Sequence, residues 1–219
     1  MTTVIAVSGY KKSGKTTLCR KLLAELSKLG VRTGYIKRTA DEVRSDKGTD
    51  TGSVAEMGLD SVLWGKDGLR FEAPLQQDVQ LQTIAARYFP DAELLILEGG
   101  KELNVPKIWV RTGDEAIPDF PGIFLVYDRN TEGCGEKLCG SGSEAELAKR
   151  LAQLVRGSAY RSAQVYIGDR PLPMKDFVAD FVRGGIIGML SSLKGGECDE
   201  KPVRVYLDGS AESKDKQLF

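Results

Sequence analysis

The sequence predicts an α/β fold, a mainly parallel sheet flanked by helices, and three observations carry that expectation. Apolar runs of strand length, "VIAV", "LLIL" and "IFLV", are continuous rather than alternating, as strands covered on both faces require. Between them stand segments with leucines at helical spacing, so strand and helix take turns along the chain. The first apolar run passes through a glycine-bearing loop straight into the first of those helices.

Taken in order, Val4, Ile5, Ala6 and Val7 form the first strand, and Leu18, Leu22, Leu26 and Leu29 share one helix face before Gly30 as a C-terminal cap. "VRTGYIK" reads as a second strand, "DSVLWG" and "GLRFEAP" as short ones. "DVQLQTIAARYF" reads as a helix with Leu81, Ile84, Ala85 and Tyr88 on one face. "AELLILEGG", "PKIWVR" and "GIFLVYD" are further strands. Ser143 and Glu146 make a capping box for a helix carrying Leu147, Leu151, Leu154 and Val155. A first domain over 1–160 follows from this pattern. Residues 161–208 read as a small ββαβ appendage: a hairpin turning at Gly168 and Asp169, a helix bearing Val178, Val182, Ile186, Met189 and Leu193, and a strand "PVRVYLD". Gly184, Gly185 and Gly188 interrupt that helix, which suits either packing against the chain's own hairpin or docking of a partner. The composition of 209–219 predicts a disordered tail.

Composition narrows the chemistry. In 219 residues, 31 lysines and arginines balance 31 aspartates and glutamates, so no global field favours nucleic acid or an anionic membrane and any anion site is local. No signal-peptide pattern or bilayer-length apolar stretch is present, which leads us to expect a cytoplasmic protein with free thiols. There is no histidine. Ser-His and Cys-His nucleophile systems and imidazole metal sites are therefore excluded, leaving acid and base work to carboxylates, lysines or water.

The loop "GYKKSGKT" then acquires a meaning. It matches G-x-x-x-x-G-K-[ST] at Gly9, Gly14, Lys15 and Thr16, between a strand and a helix, the context in which backbone amides curl around a phosphate. The fold expectation sharpens to P-loop NTPase-like. Gly9, Tyr10, Lys11, Lys12, Ser13, Gly14, Lys15, Thr16 and Thr17 are the nucleotide-binding candidates, with Lys15 on the β- and γ-phosphates and Thr16 on Mg²⁺. Glu98, where "LLILEGG" runs out, is the candidate acid for the metal or for orienting a nucleophile. Lys37 and Arg38 end the second strand and either neutralise a second anionic ligand or are ordinary exposed bases. Asp50, with Asp46 and Thr51 in "DKGTDTGS", either brings a carboxylate to the site or belongs to a polar connection. Cys134, Cys139 and Cys198 either hold a metal or cluster, for which no fourth ligand is identifiable, or are incidental thiols; Cys19 reads as structural.

With "GYKKSGKTTL", "GYIKR", "GTDTGSVAEMGLDSVLWG", "LLILEGGK" and "PKIWV", most of residues 4 to 111 resemble the molybdopterin-guanine dinucleotide biosynthesis protein B (MobB) family. The resemblance implies a protein that binds GTP with Mg²⁺, hydrolyses it weakly, usually dimerises, and assists the guanylyltransferase that joins molybdopterin to GMP for molybdenum or tungsten enzymes. Molybdoenzyme chaperones are further partners by the same reading. By position, Lys15 and Thr16 carry over as phosphate and metal contacts, Glu98 as the acid near the metal and Asp50 as a candidate catalytic carboxylate. Arg38 stands where the family commonly has histidine, and no N-K-x-D stretch reads guanine, so GTP over ATP rests on the resemblance. Two other readings stay open: a small-molecule kinase in which Asp50 or Glu98 takes the acceptor's proton, and a non-catalytic adaptor.

Overall fold

A computed structural model of the chain describes residues 2–74, 79–113, 115–157, 163–168, 170–196, 198 and 203–207. Along it run β1 (Thr3–Gly9), α1 (Lys15–Lys28), β2 (Thr33–Lys37), α2 (Asp50–Glu56), β3 (Ser61–Trp64), β4 (Leu69–Glu72), α3 (Leu81–Tyr88) and β5 (Leu94–Glu98). β6 (Lys107–Arg111), β7 (Ile123–Glu132), β8 (Leu138–Ser141), α4 (Glu144–Gly157), β9 (Tyr166–Ile167), β10 (Arg170–Pro171) and α5 (Asp176–Ser191) complete the series. Six strands form one sheet in the order β2-β5-β1-β6-β7-β8, every neighbouring pair parallel. The mainly parallel α/β expectation is met, and β5 does lie beside β1, with Glu98 in register with Val7.

Burial explains the apolar runs. All five residues of β5 are buried: Leu94 and Ile96 join the core under α1 and α4, while Leu95 and Leu97 cover the opposite face. On α1 the buried positions are Leu18, Cys19, Leu22 and Leu26, a stripe that meets Leu147, Ala148, Leu151 and Ala152 of α4. A polar link stitches the same layer together. Glu144, at the start of α4, accepts from Lys21 Nζ of α1 and from the Tyr127 hydroxyl of β7, each at 2.6 Å. Burial opposes ionisation of that carboxyl, yet the bonds from Lys21 and Tyr127 hold it below its ordinary range.

Several details depart from the sequence expectation. The Ser143 hydroxyl donates to the Gly140 carbonyl at 2.6 Å and Glu146 pairs with Arg150, so neither serves the expected capping box. β8 has no apolar run to announce it. It forms because β7 runs on to Glu132 and offers an edge, where Gly140 sits so close that a Cβ would fall 2.1 Å from the Thr131 carbonyl oxygen. β3 and β4 pair as an antiparallel hairpin, as two short alternating segments suggest.

The chain divides into two compact units, Met1–Tyr160 with Tyr166–Pro171, and Arg161–Val165 with Leu172–Phe219. The short hairpin β9–β10 therefore belongs to the first unit, where β10 lies against α3, and not to an appendage. Its turn holds Gly168 at φ 58°; Asp169 lies outside the described residues. In the second unit α5 forms as expected, with Ala179 buried. A Cβ on Gly184, Gly185 or Gly188 would meet nothing within 4 Å, so no backbone packs on the glycine face among the described residues. The expected strand "PVRVYLD" is not formed over 203–207, which are exposed and belong to none of the described sheets; Pro202, Asp208 and the tail at 209–219 lie outside the described residues.

Leu22 is fully buried between sheet and α4, so Leu22→Ala is expected to cost about 2–5 kcal/mol. Urea unfolding followed by circular dichroism measures it, and a cost well below 1 kcal/mol would contradict this core.

Candidate nucleotide-binding site

The loop 9–16 is shaped by contacts only glycine allows. At Gly9 a Cβ would sit 2.4 Å from the Val110 carbonyl oxygen and 2.6 Å from Ser13 Oγ, so β1 presses on β6 just where the loop leaves the sheet. Gly14 has φ 99° and caps α1, and Lys12 also takes a left-handed conformation at φ 67°. The first turn of α1 has no acidic residue and its cap makes no side-chain hydrogen bond. The helix therefore meets the loop with amide hydrogens that no side chain answers, a partial positive charge open to an anion. Ser13 lies inside this curve, 6% exposed, with its hydroxyl unpartnered.

Beside the loop, Glu98 is buried at the end of β5 and accepts from the Thr16 hydroxyl at 2.7 Å and the Tyr35 hydroxyl at 2.6 Å. The expected metal pair, Thr16 and Glu98, is thus in contact. A hydroxyl has one proton and two lone pairs, so Thr16 can donate to Glu98 and still offer oxygen to a cation. One carboxylate and one hydroxyl are a donor set that suits Mg²⁺, which takes few protein ligands and completes its shell with water and phosphate oxygen. Lys15 Nζ donates to the Tyr10 carbonyl at 2.5 Å, leaving two N–H donors. Burial lowers the Lys15 pKa, against which the Glu98 charge pushes upward. Burial, reinforced by Glu98, pushes the Cys19 thiol up to about 12, so this helix cysteine is a structural group, as expected.

The remaining candidates fall at different distances from this centre. Tyr10 packs edge-on against Trp109 with ring centroids 5.3 Å apart, while Lys11, Lys12 and Thr17 are exposed along the loop and the first helical turn. Lys37 and Arg38 do arrive beside Glu98: Lys37 is in register with it, and the Arg38 amide donates to its carbonyl at 2.9 Å. The Arg38 guanidinium, however, faces Glu102 at 3.6 Å. Asp50 stands outside the network. It begins α2, next to the Thr49 hydroxyl that caps Gly52 N at 3.1 Å, and its carboxylate bonds no loop residue; an acid in a first helical turn has a dipole role of its own. Its segment is anchored, because Glu72 of β4 accepts from the Ser45 amide at 3.1 Å, the Ser45 hydroxyl at 2.7 Å and Arg70 Nε at 2.7 Å. Ser45 in turn touches the Thr51 hydroxyl at 2.9 Å.

The cysteine arrangement needs correction. Cys134 and Cys139 are joined as a disulfide across an isolated antiparallel bridge, so they are neither free thiols nor a pair of thiolate ligands. Cys198 is a free cysteine of the second unit, and among the described residues no group of three His, Cys, Asp or Glu side chains is placed to hold a metal ion.

Three residues join the site unannounced. Tyr35 reaches Glu98 because its side chain alternates with the buried positions of β2. Lys107 is fully buried and donates to the carbonyls of Lys101, Leu103 and Pro121 at 2.9, 2.7 and 2.5 Å, bracing the loop that follows Glu98; burial lowers its pKa, partly countered by Glu102. Arg129, on β7, lies across the loop: a Cβ on Gly14 would be 2.9 Å from its Cδ. The segment "YDRN" carries no pattern that assigns such a place, and only topology brings β7 to the loop.

Sheet order, loop and helix start define an α/β protein of the P-loop NTPase type. A family model for molybdopterin guanine dinucleotide synthesis protein B (MobB) matches residues 4–118, and the chain belongs to that family. The molybdopterin-guanine dinucleotide biosynthesis adapter protein of Haemophilus influenzae is 32% identical over 134 residues, 58% of this chain and 74% of its own. Its Escherichia coli counterpart is 30% identical over 136 residues, covering 59% and 75%. Among solved structures, a crystal structure of molybdopterin-guanine biosynthesis protein B has a TM-score of 0.57 and 24% identity, covering 70% of this chain and 99% of that one. A MobB homologue from Bacillus stearothermophilus gives 0.52 and 23%, covering 70% and 97%. These two carry the fold alone. Among the described residues no helix is long and apolar enough to cross a membrane.

The anchoring of the 45–51 segment is pH-dependent. Hydrogen bonds from Ser45 and Arg70 lower the Glu72 pKa from its ordinary 4.5 to about 2. A depressed carboxyl stabilises the fold above its unfolded value and loses that contribution as acid titrates the folded group. Wild type is expected to melt above Glu72→Gln at neutral pH, with the gap closing as pH falls from 4.5 towards 2. A gap independent of pH in thermal scans would exclude the ionised carboxylate as the anchor.

Proposed function

We propose that this chain binds GTP together with Mg²⁺ at the loop 9–17 and serves as a cytoplasmic adapter for the guanylyltransferase that joins molybdopterin to GMP. The observation that carries the nucleotide reading is the start of α1. Unanswered amides, an orphan buried hydroxyl on Ser13, a lysine with spare donors and a hydroxyl–carboxylate pair converge there. Each matches one part of a magnesium triphosphate: amides and Lys15 the phosphate oxygens, Thr16 the cation, Glu98 the cation's shell. Mg²⁺, when bound, neutralises charge across the terminal phosphates. Lys15 loses charge stability by burial, and an arriving polyanion restores it, so binding and protonation reinforce each other.

Family membership supports the assignment of the pathway and of guanine over adenine. Slow hydrolysis is part of the same proposal. Glu98 is engaged by two hydroxyls, and among the described residues the Asp50 carboxylate bonds neither the loop nor Glu98, which supports a site that holds nucleotide more than it turns it over. This disposition also weakens the kinase reading.

Isothermal titration of the full chain with GTP and Mg²⁺ is expected to show micromolar or tighter binding. Lys15→Ala is expected to weaken it by about a hundredfold, the scale of losing a charge-assisted hydrogen-bonding group in a phosphate site. Equal binding by wild type and variant would overturn the site. Rapid phosphoryl transfer to an added small molecule would replace the adapter with a kinase.

A further inference from the structure

We propose that Arg129 holds the nucleoside end of the bound nucleotide, not its terminal phosphate; this rests on the reading above. The sheet order sets the argument. β1 leads into the loop with β5 on one side and β6, then β7, on the other, so Glu98 and Arg129 flank the loop from opposite sides. Lys15, Thr16 and Glu98 mark the flank where the cation and the terminal phosphates lie. A phosphate chain running from there past the N-terminus of α1 delivers its nucleoside to the β7 flank. Arg129 waits on that side, with its Cδ, Nε and Nη1 at 2.9, 3.3 and 3.4 Å from where a Gly14 Cβ would stand.

Two features show that this guanidinium is placed and unspent. The preceding residue, Asp128, is buried and accepts from Arg111 Nε at 2.9 Å, the Gly113 amide at 3.3 Å and the Asn130 amide at 2.9 Å, fixing the backbone on both sides of Arg129. Arg111 takes the available carboxylate. Among the described residues the Arg129 side chain makes no hydrogen bond or ion pair, although it lies over a loop already bearing Lys11, Lys12 and Lys15. An arginine held among like charges, with no carboxylate bonded to it among the described residues, suits an anion, and its flat guanidinium also stacks on a base. The terminal phosphate is the less suitable target because its oxygens lie on the Glu98 side.

Arg129 is exposed, so Arg129→Ala is compatible with folding. Titrations of the full chain with GTP and with GDP, each with Mg²⁺, are expected to show the same loss for both nucleotides, about ten- to hundredfold. A loss confined to GTP, or a collapse of hydrolysis with GDP binding intact, would move Arg129 to the terminal phosphate and overturn the proposal. So would unchanged affinity for both nucleotides while Lys15→Ala abolishes binding. Wild type that binds neither nucleotide would overturn the loop reading itself, a result distinct from an arginine that does not matter.

Discussion

One buried carboxylate holds the candidate site in shape. Glu98 closes β5, takes a hydroxyl from Thr16 on α1 and another from Tyr35 on β2, and gives its carbonyl to the Arg38 amide. Removing a charged group from water is costly unless it is hydrogen-bonded, and the two hydroxyls give each carboxylate oxygen a donor. The charge then acts on its surroundings. It pushes upward on Lys15, adds to the burial that raises Cys19, and adds to the burial that lifts the Tyr35 hydroxyl well above its ordinary value.

The rest of the architecture supports this point by bracing the loops around it. Lys107 spends its ammonium on three carbonyls of the segments after β5 and before β7, so the turn leaving Glu98 is tied down from within the sheet. Asp128 does the same midway along β7 with two amides and a guanidinium, and Glu144 ties α1 to α4 and β7. Each of these charges is buried and each is multiply bonded, which makes them positioning devices: a desolvated charge holds its partners in place because an unmet one is costly.

What the sequence made legible followed the strength of the local signal. The P-loop and Glu98 were readable because their chemistry sits on adjacent residues or at the end of an unmistakable apolar run, and β1, β5 and β6 because burial on both faces leaves no polar alternation. β8 was not readable, since "LCGS" forms a strand only by virtue of the edge that β7 supplies. Tyr35 and Arg129 were hidden for a related reason: their place depends on which strands become neighbours, a long-range result that no local spacing encodes. The strand expected at "PVRVYLD" failed in the opposite sense, a β-favouring composition that forms no strand over 203–207. The cysteine reading failed because pairing of Cys134 with Cys139 is decided by the backbone bridge between them.

The free protein already holds most of what a nucleotide requires, and this bears on how binding energy is used. Thr16 need not give up its bond to Glu98 in order to meet a cation, because donation uses its proton and ligation its lone pair. The α1 amides have no side chain to relinquish. Only Lys15 must redirect an N–H from the Tyr10 carbonyl, a contact five residues away within the same loop. If the proposed nucleotide binds there, a site so arranged would lose little to reorganisation. On the proposed reading, the economy of that arrangement lies in the division of work on Thr16 and Lys15, each of which keeps a contact within the protein while offering a further atom to the ligand.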